Sequence, residues 1–228
     1  MYQIVSAFRQ FSILLVLIVI SQQVHAKGLN PDDPQDLFTD TTQKLLLELR
    51  DKSSEIKQNK KIAYDISDRL IVPYLDFPKI ARLVVGKHWR RASDVQKQQL
   101  ESEIRGLLIR SYVTAMSTYA DQIIAQGDKI IYHPSRYKSG DKKSTIATSI
   151  QLLDGKTVDV NYKLYKSKNG WKIYDIRVAG ISLAVTYRTS FSAEINQSGL
   201  DGLIARLAEQ NKKGVVEFPD AAKKLADQ

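Results

Sequence analysis

The fold of this chain is decided by the stretch Gly170–Phe191, GWKIYDIRVAGISLAVTYRTSF. Its first half alternates in the manner of a β-strand, with Trp171, Ile173 and Asp175 predicted on one face and the residues between them on the other. An Ala-Gly pair follows at positions 179–180, and the apolar run ISLAV then begins a helical pattern. A strand that passes through a glycine into an apolar helix forms a corner, and such a corner can close one wall of a cavity.

Helices are predicted before this stretch, because apolar residues recur there at helical spacing behind recognisable start signals. Asp33 and Asp76 each precede a proline, and Ser93 with Gln96 fits a capping box. The predicted helices run from Pro34 to about Ile56, from about Lys61 to before Pro73, from Asp76 to Gly86, and from Ser93 to Gly127.

The period changes to two after the fourth helix, which predicts strands. The four predicted strands are Lys129–His133, Ser144–Leu153, Thr157–Lys166 and Trp171–Val178. Asp154-Gly155 and Asn169-Gly170 favour tight hairpin turns, so we expect an antiparallel meander. Residues 181–196 and 200–210 are predicted to be helical, with Ser198-Gly199 as a hinge. The predicted fold class is therefore α+β, with helices packed on one face of a curved antiparallel four-stranded sheet.

The first 26 residues have the pattern of a secretory signal peptide. The apolar segment FSILLVLIVI at 11–20 follows a single basic residue, Arg9, and Val24 and Ala26 suit a cleavage site after Ala26. The apolar run is about ten residues, shorter than the ~20 needed to span a bilayer, so a cleaved signal is favoured over a membrane anchor. We expect residues 27–228 to form one exported domain.

Composition limits the partners of such a domain. The chain has no cysteine, so disulfides cannot stabilise it, and its formal net charge of +9 favours anionic partners. Lipid headgroups and acidic protein surfaces fit an exported protein better than nucleic acid does. Charge that serves only solubility remains the alternative.

Catalytic and metal-binding patterns are weak in this sequence. His25 leaves with the signal, and His88 and His133 are isolated, so no metal-ligand spacing exists. No nucleophile elbow, P-loop or dinucleotide-binding glycine motif occurs. A Ser-His-Asp site assembled from distant residues around either remaining histidine stays open as a minor alternative. Asp76 is better explained as a helix cap than as a catalytic acid.

Apolar and aromatic residues are more numerous than the helix stripes require. Composition alone favours a plain core over a cavity, but the eleven tyrosines could wall an apolar pocket and turn their hydroxyls toward a polar ligand end. The sequence pattern leaves both possibilities open.

Three blocks of sequence, in order, resemble a known family. They are Pro73–Phe77 with Ala81–Arg90, Leu107–Tyr112 with Ala115-Met116, and Trp171–Phe191 followed by Gly199–Leu203. The chain resembles the MlaC family, the periplasmic phospholipid-binding proteins of the Mla lipid-transport pathway, also described as toluene-tolerance or ABC-transporter auxiliary proteins. The likeness extends from about Asn30 to Gln210. Val85, Ser111 and Ala179 depart mildly from the family pattern.

The resemblance implies a cystatin- or NTF2-like fold with an apolar cavity that takes phospholipid acyl chains and leaves the headgroup outside. It implies a periplasmic carrier, neither an enzyme nor dependent on a cofactor. The oligomeric state stays open, with a monomer as the default expectation. Such a carrier passes lipid between an outer-membrane lipoprotein–porin complex and the MCE-domain protein of an inner-membrane ABC transporter, which maintains outer-membrane lipid asymmetry.

The residues expected to wall that cavity combine apolar character with positions in these blocks. They are Tyr74, Phe77, Val84, Leu108, Tyr112, Val160, Tyr162, Val178, Ile181, Leu183 and Val185. Ile181 is the foremost candidate, because it follows the corner glycine and matches an apolar position of the family. Two other functions stay open: a small periplasmic enzyme on the same NTF2-like fold with a polar pocket, and a lipid-free docking adaptor with a filled core.

Overall fold

The computed structural model describes residues 30, 32–127, 129–151 and 155–214. The predicted signal peptide and the charged tail after residue 214 lie outside these residues. The helices are α1 Pro34–Gln58, α2 Lys60–Leu70, α3 Phe77–Val85, α4 Asp94–Gly127 and α5 Leu183–Lys213. Two 3₁₀ turns, Val72–Tyr74 and Gly86–Arg90, flank α3. Among the described residues, no helix is both long enough and apolar enough to cross a membrane.

The predicted helix starts are confirmed by their hydrogen bonds. The side chain of Asp33 accepts from the backbone N–H of Gln35, and that of Asp76 accepts from Lys79. Ser93 and Gln96 bond reciprocally, each side chain to the other's backbone N–H, at 3.2 and 3.0 Å. These bonds satisfy N–H groups that a helix start leaves without partners, so each helix begins where its cap stands.

Within the described residues, the sheet is antiparallel and has five strands, not the four predicted. In spatial order they are β1 Ile130–Tyr132, β2 Lys143–Gln151, β3 Thr157–Ser167, β4 Gly170–Val178 and β5 Ile181–Ser182. The meander is confirmed, since each strand pairs with the next along the chain. The first residue of the predicted Asp154-Gly155 turn lies outside the described residues. The extra strand is two residues of the segment expected to be helical.

A bulge in β4 overturns the strict alternation predicted for that strand. Leu164 pairs with Ile173, but Lys163 pairs with Asp175, so Tyr174 is the additional residue. A bulge shifts the side-chain phase by one residue. Before the bulge, Trp171 and Ile173 face the core. After the bulge Val178 is buried, although strict alternation predicted it on the face opposite to Trp171 and Ile173.

The corner after β4 turns the chain sharply into α5. Ala179 has a φ of +47° and Gly180 one of +80°, which lets Ile181-Ser182 fold back and pair with the end of β4. The Ser182 side chain then caps α5 by accepting from the backbone N–H of Val185. Gly199 interrupts α5 with φ 75° and ψ 177°, and this confirms the predicted hinge.

The buried apolar side chains that the structure describes form two clusters. The first joins α1, α2 and the C-terminal half of α4 to the inner face of the sheet, with Leu45, Met116 and Tyr162 among its buried members. The second joins α3, the N-terminal half of α4 and α5, around residues such as Val85 and Leu203. The long helix α4 therefore belongs to both.

Candidate functional site

A cavity of about 150 Å³ lies between the two clusters. Side chains from α1, α2, α3, α4, β3, β4 and α5 line it, and its walls draw on both clusters. Phe38 and Tyr162, with ring centroids 4.5 Å apart, belong to the wall on the side of the sheet. Tyr187 and Phe191 of α5, with centroids 5.5 Å apart, belong to the wall of the second cluster.

The structure brings six of the eleven predicted residues together around this cavity. They are Tyr74, Val84, Leu108, Tyr112, Tyr162 and Leu183. These six come from five different elements, so the sequence pattern identified residues that only the tertiary fold makes neighbours.

The other five lie outside the lining. Val160 and Val178 pair across β3 and β4 and are buried in the first cluster. Phe77 is buried, and the Arg105 guanidinium lies 5.0 Å from the centroid of its ring. Ile181 and Val185 are 42% and 46% exposed, because the corner turns both side chains away from the core. Contact of any of the eleven residues with a lipid stays a prediction.

Sequence reasoning missed much of the lining. Examples are Leu37 and Phe38 of α1, Ile104 and Leu107 of α4, Trp171 and Ile173 of β4, and Tyr187 and Phe191 of α5. A signal existed for α5, since Leu183, Tyr187 and Phe191 follow one another at intervals of four on a single helix face. On α1 and α4 the lining residues share a stripe with core residues, and no pattern separates the two roles.

The cavity is almost uncharged. Among the described lining residues there is no Lys, Arg, His or Glu, and Asp175 is the one carboxylate. Its Oδ1 accepts from the Ser182 hydroxyl at 2.9 Å and from the Ala184 N–H at 3.2 Å. Oδ2 lies 3.9 Å from Nε of Arg177. Asp175 therefore serves to hold the start of α5, and the walls around it are apolar.

Three tyrosines of the lining are deeply buried and neutral. Burial raises the pKa of Tyr112, Tyr162 and Tyr187, because an apolar environment disfavours the phenolate. Tyr162 also hydrogen-bonds Thr148, whose hydroxyl donates to the Val160 carbonyl at 3.0 Å. A neutral, dry wall suits a hydrocarbon ligand and not an ionic one.

Lys79, Tyr165 and Asp76 form a polar cluster beside the cavity, where α3 meets the sheet. The Lys79 ammonium is 3.3 Å from the centroid of the Tyr165 ring and 4.6 Å from that of Tyr174, a lining residue. The Tyr165 hydroxyl donates to Oδ2 of Asp76, and this hydrogen bond, with burial, raises the pKa of Tyr165 to about 12. Asp76 thus caps α3 and also ties it to β3.

The two histidines that the structure describes do not form a Ser-His-Asp triad. Nε2 of His133 lies 2.6 Å from Oγ of Ser149, which donates to Asp159 at 2.7 Å. The order is Asp–Ser–His, whereas a hydrolytic triad needs histidine between the other two. His88 is buried, and desolvation lowers its pKa. Neither histidine lines the cavity, and within the described chain no three His, Asp or Glu side chains group to hold a metal.

Comparison with known proteins identifies the family. The MlaC protein family model matches residues 39–209, most of the chain. The chain belongs to the MlaC family. The expected resemblance is thereby confirmed.

Individual relatives are distant in sequence but extensive in coverage. Toluene tolerance protein ttg2D of Pseudomonas putida is 25% identical over 169 residues, 74% of this chain and 75% of the relative. The intermembrane phospholipid transport system binding protein MlaC of Haemophilus influenzae is 20% identical over 206 residues, 89% of this chain and 94% of the relative. A solved phospholipid-binding protein from Ralstonia solanacearum, in complex with a phospholipid, aligns with a TM-score of 0.65 and 28% identity over 80% of this chain and 98% of that one.

Proposed function

We propose that this protein is a periplasmic phospholipid carrier whose cavity holds acyl chains. The observation that carries the proposal is an apolar cavity lined by side chains of both core clusters. Asp175, the one carboxylate among the described lining residues, is already bonded to Ser182 and Ala184. The phospholipid bound by the Ralstonia solanacearum relative supports the same assignment.

Burial of hydrocarbon is what such a carrier must achieve. Each methylene removed from water contributes ~0.8 kcal/mol, so an acyl chain with about 14 of them would cost on the order of 11 kcal/mol to leave exposed. The headgroup prefers water and needs no enclosure. An apolar cavity in a basic protein satisfies both requirements, because the surface charge attracts phosphate without entering the cavity.

We propose that the cavity widens when lipid enters or leaves. Because the cavity separates two clusters, it can widen if the helices of the second cluster shift relative to the sheet. Neither cluster would have to unpack.

Family membership supports a proposal about the membrane partners. We infer that the carrier exchanges lipid with an outer-membrane lipoprotein–porin complex and with the MCE-domain protein of an inner-membrane ABC transporter, and so maintains outer-membrane lipid asymmetry. No catalytic step is required of it. The name of the Haemophilus influenzae relative, a binding protein of an intermembrane phospholipid transport system, supports this role.

Extraction of the purified protein with organic solvent tests the function. We expect about one phospholipid per chain by mass spectrometry. Protein that yields no lipid and takes none from vesicles would contradict the carrier and favour a docking adaptor. Lipid recovered as hydrolysed or modified product after incubation would favour an enzyme.

Fluorescence quenching locates the acyl chains. Trp171 lines the cavity, whereas Trp89 packs against the second cluster outside the lining. Phospholipid with brominated acyl chains should quench Trp171 in a Trp89→Phe variant and should leave Trp89 bright in a Trp171→Phe variant. Equal quenching of both would place the chains elsewhere on the protein.

A further inference from the structure

Two hydroxyl groups interrupt the apolar character of the cavity. Tyr112 of α4 and Thr42 of α1 both line it, and they are only 7% and 1% exposed. Their hydroxyl oxygens are buried with no hydrogen-bond partner among the residues that the structure describes. The neighbouring hydroxyl of Ser111 differs, since it donates to the Leu107 carbonyl at 2.7 Å.

Buried polar groups in folded proteins nearly always have a partner, because leaving one unsatisfied destabilises the folded state. Phenylalanine and valine have similar shapes to tyrosine and threonine and would remove that penalty. The two hydroxyls are thus best explained if the cavity's occupant supplies the missing hydrogen bonds.

The chemistry of the walls limits what that occupant presents. A hydroxyl can donate or accept, but the ester and acyl parts of a phospholipid carry only acceptors, so both hydroxyls would act as donors. A phosphate would need a cation, and the described lining has none. The acceptor is therefore neutral, and a carbonyl oxygen has two lone pairs with which to accept from both hydroxyls.

The depth of the two hydroxyls fits one part of a phospholipid. Leu108 lies one helical turn before Tyr112 and is half-buried, and Thr41 beside Thr42 is half-buried as well. Tyr112 and Thr42 are thus more deeply buried than these two neighbours in the lining. In a phospholipid the ester carbonyls lie between the solvated phosphate and the hydrocarbon.

We propose that Tyr112 and Thr42 form a hydrogen-bonding site inside the cavity for an ester carbonyl of the bound phospholipid. The proposal rests on the proposed function and adds a specificity to it. The carrier should favour ester-linked phospholipids over ether-linked ones with the same headgroup and chains, because an ether linkage has no carbonyl.

A competition between two lipids tests this site. Lipid-stripped protein is incubated with vesicles that contain equal amounts of diester and diether phosphatidylethanolamine of the same chain length, and the bound lipids are extracted and quantified. We expect the wild type to enrich the diester roughly 3- to 10-fold, the range that one or two net hydrogen bonds provide. Tyr112→Phe and Thr42→Val should each reduce the enrichment, and the double variant should abolish it.

A matched variant controls for the loss of a buried hydroxyl. Tyr132 packs edge-on against Phe38 but does not line the cavity, so Tyr132→Phe should keep the wild-type enrichment. Because the Tyr112 hydroxyl has no partner in the described chain, Tyr112→Phe should not lower the Tm of lipid-free protein. A purely structural hydroxyl would lower the Tm and leave the lipid ratio unchanged.

The outcomes separate the site from the function. Uptake of neither lipid would contradict the carrier itself. Equal uptake of both by the wild type, or an enrichment that survives in the double variant, would overturn the carbonyl site and leave the carrier standing. If Tyr112→Phe does not fold, the ratio of bound diester to diether lipid in Thr42→Val alone tests the carbonyl site.

Discussion

A charged substitution at Leu108 tests directly whether acyl chains bind in the cavity. It lines the cavity and is half-buried, so Leu108→Asp should fold while placing a carboxylate against the acyl chains. Burial of an unpaired charge in hydrocarbon is strongly unfavourable. We expect co-purified phospholipid to fall at least tenfold, as measured by extraction and mass spectrometry.

The matched control is Ile181→Asp. The sequence made Ile181 the foremost candidate for lipid contact, but its side chain is 42% exposed and lies outside the lining. If lipid contact is confined to the cavity, this variant should retain wild-type lipid. Loss of lipid in Ile181→Asp with retention in Leu108→Asp would move the site to the corner.

The raised pKa of Tyr165 leads to a prediction about how the stability of the fold depends on pH. Its hydrogen bond to Asp76 raises its pKa to about 12, above the ordinary value of about 10. The folded state thus holds this proton more tightly than the unfolded chain does. The resulting stabilisation is complete below pH 10 and is lost as the pH rises from about 10 to 12.

Ultraviolet difference titration of the wild type against Tyr165→Phe should show this ionisation near pH 12. In Asp76→Asn the midpoint should fall toward 10, because the carboxylate is the main cause of the shift. A midpoint near 10 in the wild type would mean that the hydrogen bond does not form in solution.

At the scale of elements, the success of sequence reasoning depended on how local the signal was. Helix starts followed from Asp33, Asp76 and Ser93, because a cap acts over four residues. The side-chain alternation of β4 did not follow from the sequence, because the bulge at Tyr174 arises from the pairing of β4 with β3. The strand Ile181-Ser182 was missed for a similar reason, since its two residues are extended only because they pair with the end of β4.

Gly199 is the element-scale feature that the sequence did reveal. Its φ of 75° with ψ of 177° is a conformation that essentially only glycine adopts. Gly199→Ala should lower the free energy of unfolding by about 1–3 kcal/mol in urea denaturation. Gln197→Ala, at an exposed position two residues earlier, should change it by less than about 0.5 kcal/mol. A stable Gly199→Ala variant would show that α5 does not need its kink.

For the whole molecule, the division into two clusters is what the sequence could not show. The apolar residues of α4 recur at the same spacing whether they pack in a core or line a cavity. The sequence therefore could not separate the two, and composition favoured one plain core. The structure instead places a cavity between the clusters, with α4 running through both. If the protein is a lipid carrier as proposed, we expect lipid exchange to depend on how far α3 and α5 can move from the sheet.

Leu75 and Ile173 offer a way to lock that movement. They form an isolated bridge between the segment before α3 and β4, where the Asp76 N–H donates to the Ile173 carbonyl at 3.1 Å. Paired strands lie about 5 Å apart, within the separation that a disulfide spans. The chain has no cysteine of its own, so Leu75→Cys with Ile173→Cys would introduce one defined cross-link.

If α3 leaves the sheet when lipid enters or leaves, the oxidised double variant should transfer a bound fluorescent phospholipid to acceptor vesicles at least tenfold more slowly than its reduced form. Reduction should restore the rate in the same sample, which removes the effect of the substitutions on the lining. Each single-cysteine variant should transfer lipid equally under oxidising and reducing conditions. Equal rates for the oxidised and reduced double variant would show that the cavity opens elsewhere, between the sheet and another of the helices that line it.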